Sequence, residues 1–175
     1  MTINETVTET PDLTAQLQQV VSRFARGVDR HDADIINACY WPGAYDDHGV
    51  YTGDAEGFAT WVTGATAHMG FMQHSVSNLH LLGVKSVPGG NDIATSETYY
   101  HMRCVGVDGE LAQVFGRYLD QWEQRDSAGR QEWRITRRLC TLEWSSPNSG
   151  YSADDFTSGA NDRTDPSYQL AELVA

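Results

Sequence analysis

The sequence predicts an α+β fold in which a curved antiparallel sheet wraps around a long N-terminal helix. Two observations carry this reading. Apolar residues recur at helical spacing through the first third of the chain, and from Gln73 onward the period changes to two. The connections PGGND, VDGE and DSAGR in that second part are all turn chemistry, as a meander of long strands needs. Segregated helices and strands of this kind define an α+β arrangement, and only the first helix is long enough to cover the inner face of the sheet.

The elements follow in order. Residues 1–10 read as a flexible lead. Thr10-Pro11 starts the first helix, with Thr at the N-cap and Pro at the first helical position. Leu13, Leu17, Val20, Val21, Phe24 and Val28 give that helix one apolar face up to about Val28. Asp32 caps a short second helix containing Ile35, Ile36 and Cys39, which Tyr40-Trp41-Pro42-Gly43 ends. The run AYDDHGVYTG reads as a small strand and turn, and Asp54 caps a third helix that buries Phe58, Trp61, Val62 and Ala65. Four strands follow at about 73–87, 92–107, 110–124 and 131–145. A domain over 11–145 is thus followed by an extended tail, 146–175, rich in Ser, Asp, Gly and Asn. Tyr151, Phe156, Tyr168 and Leu170–Val174 are its anchors, and it ends in at most one helical turn.

Composition narrows the function. The 175 residues carry 24 acids, 12 bases and a net charge of −12, so a nucleic-acid surface and an anionic membrane are poor partners. More than half of the excess lies in the two ends: residues 1–12 hold −3 and residues 146–175 hold −4, leaving −5 for the body. No run of about 18 apolar residues spans a membrane. The polar N-terminus lacks the basic segment of a secretory signal, so a cytoplasmic location is expected. Cys39, Cys104 and Cys140 have no CxxC spacing and read as buried thiols. Lys85 is the only lysine, which makes Schiff-base chemistry a poor fit. Phosphate loops, dinucleotide fingerprints, GxSxG and HExxH are all missing, so no cofactor is expected.

Four constellations could carry chemistry. Asp29 ends the first helix on the line of its apolar face, and His74 begins the first long strand with Val76, Asn78, His80 and Leu82 as its alternate neighbours. A carboxylate that fixes an imidazole tautomer leaves the other ring nitrogen as a general base. In Tyr45-Asp46-Asp47-His48, with Tyr51 beyond Gly49, either Tyr45 with Asp47 or Asp46 with His48 points inward, or the segment is a solvated loop. His48, His74, His80 and His101 with Asp47 could form a metal site, but no HxH, HxxxH or HxxE spacing links them, and no metal is expected. On the last strand, alternation groups Arg134 with Arg138 and sets Arg137 with Trp133, Ile135 and Leu139. One arginine pairs with a carboxylate such as Asp120 or Glu123, and one is available to substrate.

Several segments together resemble a known family. Arg23-Phe24-Ala25-Arg26-Gly27-Val28-Asp29-Arg30-His31-Asp32 resembles the first-helix signature of SnoaL-like proteins. So do Tyr40-Trp41-Pro42-Gly43-Ala44, Asp47-His48-Gly49, Gln73-His74-Ser75-Val76-Ser77-Asn78-Leu79, Gly116-Arg117-Tyr118-Leu119-Asp120 and Trp133-Arg134-Ile135-Thr136-Arg137-Arg138. The resemblance covers about residues 12–145 and implies the nuclear transport factor 2-like cone. It further implies kinship with the superfamily's cofactor-free lyases, which include the hexachlorocyclohexane dehydrochlorinases and scytalone dehydratases. On that basis His74 is the base, Asp29 orients it, and Arg138 falls on the family's pocket arginine.

The chain departs from the pattern at Phe24, where some dehydratases carry a tyrosine acid. Tyr45, Tyr51 and His48 are the candidates to replace it, and His101 is the rough counterpart of a second histidine. The expected function is a cofactor-independent lyase on a small, apolar, aromatic molecule, by dehydration, other elimination or retro-aldol C–C cleavage. Isomerase, cyclase and non-catalytic ligand-binding or assembly roles are the alternatives. The expected site is Asp29 and His74 with Phe24, Tyr45, Asp47, His48, Tyr51, His101 and Arg138 around the substrate. By resemblance the chain forms a homotrimer, with a dimer next, and the tail closes the pocket or joins the oligomer contact.

Overall fold

The computed structural model describes residues 12–175. The Thr10-Pro11 helix start lies outside them, and within them Asp12 occupies the N-cap of α1 (Leu13–Asp29). Leu17, Val20, Val21, Phe24 and Val28 are buried on one side of α1, as their spacing requires. Its end packs tightly on α2 (Ala33–Asn37): a Cβ on Gly27 would lie 2.9 Å from both Ile35 and Ile36. Asp32 caps α2 by accepting a hydrogen bond from Ile35 N at 3.0 Å. Asp54 does the same for α3 (Ala55–Ala65) through Gly57 N at 2.7 Å.

The sheet runs β2 (Thr52–Asp54), β1 (Tyr40–Asp47), β6 (Arg130–Ser145), β5 (Leu111–Ser127), β4 (Ile93–Val105), β3 (Phe71–Lys85), and the short β7 (Thr157–Ser158) also pairs with β6. The four long strands form the expected antiparallel meander. Two features differ from the sequence reading. Tyr40–Gly43 begins a strand and does not end a helix; β1 runs parallel to β6 with an irregularity between Tyr40 and Tyr45, around Gly43 at φ +79°. The tail also holds more structure than one helical turn: a 3-10 turn at Ala153–Asp155, β7, and α4 (Pro166–Glu172).

Bulges decide which side chains face the core. In β3 the ladder shifts between Ser77 and His80, where Asn78 has φ +52°. The inward set therefore passes from Met72, His74 and Val76 to Leu79 and Leu81, and Asn78 and His80 lie exposed. In β6, Trp122 pairs with Ile135 but Gln121 with Arg137, so Thr136 is an extra residue. Arg138 therefore shares the inner face with Ile135, Cys140 and Leu142, opposite the alternation that grouped it with Arg134. The core lies between α1, α3 and the concave sheet face, and includes Phe24, Phe58, Tyr118, Trp122 and Ile135.

Candidate active site

The end of α1 delivers Asp29 to the start of β3. Its carboxylate accepts hydrogen bonds from His74 N at 3.0 and 3.1 Å and lies 2.6 Å from His74 Nδ1. Backbone and ring are thus clamped by one carboxylate. Both side chains are about nine-tenths buried, at 9% and 11% exposure. A carboxylate on Nδ1 makes Nδ1 the protonated nitrogen and leaves the Nε2 lone pair free. His74 lines an apolar cavity with Phe24 and Val28 from α1 and Phe58, Trp61 and Val62 from α3. Met72, Tyr100, Met102, Tyr118 and Cys140 form its sheet side, and Tyr151 and Phe156 of the tail complete it.

A second histidine faces the same cavity. Of the two inward pairings left open for Tyr45–His48, the structure takes Asp46 with His48. Asp46 is fully buried, with one oxygen against His48 Nδ1 and the other accepting from Tyr40 Oη at 2.5 Å. The His48 ring stacks on Phe58 at 4.2 Å. Burial and the neighbouring carboxylate keep the Tyr40 phenol far above its ordinary pKa, so it remains a donor.

Beneath this layer lies Arg138. Its Nε and Nη2 donate to Asp120 at 2.7 and 2.8 Å, and both side chains are fully buried. The guanidinium carbon lies 4.1 Å from the ring centres of both Phe24 and Tyr118. Its Nη1 has no hydrogen-bond partner among the described residues. Burial raises the Asp120 carboxyl above its ordinary range, and Asp120 in turn holds the Arg138 proton firmly against its own burial.

Of the nine expected site residues, Asp29, His74, Phe24 and His48 come together here. The other five stand elsewhere. Arg138 does not line the cavity, because the Phe24 and Tyr118 rings flank it. Tyr45 is on the outward parity of β1, a third exposed under Arg137. Asp47 turns to accept from Gly49 N. Tyr51 packs on Phe58 and Trp61 from behind and donates to Asp54 O. His101 is on the outer face of the sheet, stacked on Phe115 and bonded to Gln113. The sequence reading left out Tyr118, Tyr100 and Cys140. Their alternation along β4, β5 and β6 was visible, but not the face each strand turns inward.

Residues 10–139 match the SnoaL-like domain family, and the chain belongs to that family. No curated protein matches significantly. Among solved structures, it is similar to a type 2 hexachlorocyclohexane dehydrochlorinase (LinA), with 16% identity, TM-score 0.61, and 85% of this chain and 94% of that one covered. A scytalone dehydratase candidate from Novosphingobium aromaticivorans DSM 12444 aligns at 11% identity and TM-score 0.64 over 80% and 90% of the two chains. A nuclear transport factor 2-like superfamily protein from Salmonella enterica serovar Typhimurium aligns at 16% and 0.61 over 79% and 96%. The fold is thus the nuclear transport factor 2-like cone. Among the described residues no cluster of three His, Cys, Asp or Glu is arranged to hold a metal ion, and no helix is long and apolar enough to cross a membrane.

Proposed function

We propose that this protein is a cofactor-independent lyase that removes a proton from a small, apolar, aromatic molecule and eliminates water from it. One observation carries the reading: the His74 ring, with Nδ1 clamped by Asp29, lines a half-open apolar cavity, and its remaining nitrogen is free of that clamp. Nε2 takes the proton, and Asp29 stabilises the imidazolium that forms. The surrounding apolar wall strengthens that electrostatic support by excluding water. The same base acting on a hydroxyl would cleave a C–C bond by retro-aldol chemistry.

The cavity is narrow, about 60 Å³. Benzene occupies engineered cavities of about 150 Å³. A ring therefore needs the cavity to widen, and Tyr151 and Phe156 of the tail are the part of its wall that this reading expects to move. The outer sheet face presents Tyr99 and Trp144, both about half exposed, beside the His101–Phe115 stack. This exposed aromatic face supports a homo-oligomer, and sedimentation equilibrium giving a monomer would remove it.

The test of the lyase reading is turnover of aryl β-hydroxy ketones followed by mass spectrometry. Loss of water in the wild type and none in His74→Ala is expected. Products of unchanged mass would instead make the protein an isomerase, and equal turnover in His74→Ala would remove the base.

A further inference from the structure

Tyr118 of β5 lines the cavity and is only 2% exposed. The buried phenols around it are already engaged: Tyr40 donates to Asp46, and Tyr100 donates to Thr141 O at 3.1 Å. Tyr118 Oη has no hydrogen-bond partner among the described residues. Nor is it sealed in protein, as the partnerless Thr98 Oγ1 and Arg138 Nη1 are. The little surface that Tyr118 keeps therefore includes its hydroxyl oxygen, at the cavity it lines. A buried hydroxyl without a partner is costly, so a fold that keeps one has a use for its free hydrogen bond.

The ring is held on both faces. Gly116 stands two residues before it on the same strand face, and a Cβ there would lie 2.6 Å from Tyr100 Oη. The missing side chain lets the Tyr100 ring lie across β5 and stack on Tyr118 at 4.6 Å and 18°. The Arg138 guanidinium carbon lies 4.1 Å from the Tyr118 ring centre, and Phe24 meets the ring edge-on. Burial keeps the phenol protonated, while the Arg138 charge pulls the other way and strengthens its O–H as a donor. A donor fixed in advance needs no reorganisation when charge develops beside it.

Strand register relates it to the base. His74 pairs with Met102, Met102 pairs with Val114, and Tyr118 follows Val114 by four residues. The two backbones are thus about 10 Å apart across the sheet and about 13 Å apart along it. Both side chains reach inward over the concave face, so imidazole and phenol meet one small molecule from two sides. We propose that Tyr118 is the oxyanion donor of the reaction, and that the substrate is a ketone whose labile hydrogen sits on the carbon beside the carbonyl.

This rests on the lyase reading and names its substrate class. His74 Nε2 takes the α-proton, the C–H pair forms the enolate C=C, and the carbonyl π pair moves onto oxygen. Tyr118 Oη–H donates to that oxygen and keeps its own proton throughout. The oxyanion then re-forms C=O, the enolate C=C pair forms the Cα=Cβ bond, and the β C–O bond breaks with its pair on oxygen. His74 hands its proton to the departing oxygen. The net change is β-hydroxy ketone to enone plus water, with both residues as they began.

The test uses the full chain with acetophenone labelled with ¹³C at the carbonyl, a ketone with α-hydrogens and no leaving group. Isotope-edited infrared spectra read the carbonyl, and mass spectrometry reads deuterium entry at the methyl group in D2O. In the wild type the carbonyl stretch is expected to fall on binding. Tyr118→Phe, which keeps the ring, should abolish that shift and slow deuterium entry about 10²- to 10³-fold, as the loss of one oxyanion donor does. Its unfolding midpoint should match the wild type, because Tyr118 Oη bonds to none of the described residues. His74→Ala should keep the carbonyl shift and lose the exchange. An unshifted carbonyl in the wild type, or a shift kept in Tyr118→Phe, would overturn the proposal. So would a shift lost only in Tyr151→Phe, which removes the partly exposed phenol that the tail brings to the same wall. A shift lost in Tyr118→Phe, beside equal exchange in the wild type and His74→Ala, would sink the base reading and leave the Tyr118 donor standing.

Discussion

The Asp29 carboxylate grips His74 twice, taking its backbone N–H at 3.0 Å and lying 2.6 Å from its Nδ1, although 45 residues separate them. This grip fixes both the position and the tautomer of the ring. Asp29→Asn keeps the shape but offers an amide that can donate to Nδ1 and flip the tautomer. Comparable substitutions in serine proteases lower kcat about 10⁴-fold. We expect a loss of about 10³- to 10⁴-fold in kcat here, with the folded circular-dichroism spectrum retained. A loss smaller than about tenfold would show that Asp29 has no part in tuning the base.

The Asp120–Arg138 pair is a structural prop under the site. Removing one partner of a fully buried pair leaves an uncompensated charge and costs about 3–5 kcal/mol. Asp120→Asn should lower stability in urea by that order, and paired Asp120→Leu with Arg138→Met should recover part of it. An unchanged unfolding midpoint for Asp120→Asn would contradict this role.

Arg117 on β5 clasps the tail. It donates to both Asp165 oxygens at 3.1 and 2.6 Å, to Glu97 at 3.0 Å and to Glu143 at 2.8 Å. Burial raises the Asp165 carboxyl, but hydrogen bonds from Arg117, Ser167 and Ala160 N outweigh it and hold the group far below its ordinary range. A depressed carboxyl stabilises the fold above its unfolded pKa of about 3.9 and loses that contribution as pH falls through the lower folded value. The clasp should therefore hold at pH 4 and release only in stronger acid. Asp165→Asn should speed amide exchange across 157–172 by about 10- to 100-fold at neutral pH, the worth of a charged hydrogen bond. Exchange in β5 and β6 should stay as it was. Uniform change across the chain would deny the tail an independent opening.

The three thiols are buried, and burial pushes Cys39 up to about 11, Cys140 up to about 12 and Cys104 above its ordinary value. Thiolate is the reactive form. None of the three should react with Ellman's reagent at pH 8 in the folded protein, and all three should react in guanidinium. Rapid native labelling of Cys140 would show that the cavity opens widely.

The fold was legible because helical and strand periods are long and strongly marked. The Asp29–His74 contact was legible for a different reason: its position at one helix end and one strand start matched a family pattern. What alternation could not reveal were the bulges. The extra residue Thr136 turned Arg138 inward, and Asn78 turned His80 outward. Both flips depend on pairing across strands, which a single strand does not encode. Choosing Asp46 with His48 over Tyr45 with Asp47 likewise required β1 to be placed beside β6, where Tyr45 meets Arg137. The tail's elements were hidden because their order depends on Arg117 and on Gly49, where a Cβ would strike the Phe156 ring at 2.6 Å.

Proton abstraction by His74 is the central claim, and hydrogen isotope exchange tests it most directly. The protein is incubated in D2O with 4-hydroxy-4-phenylbutan-2-one, a carbon acid able to lose water or undergo retro-aldol cleavage. Deuterium uptake and product formation are followed by mass spectrometry against His74→Ala. The account predicts enzyme-dependent exchange or elimination in the wild type that falls to the uncatalysed rate in His74→Ala; equal rates in the two proteins would contradict it.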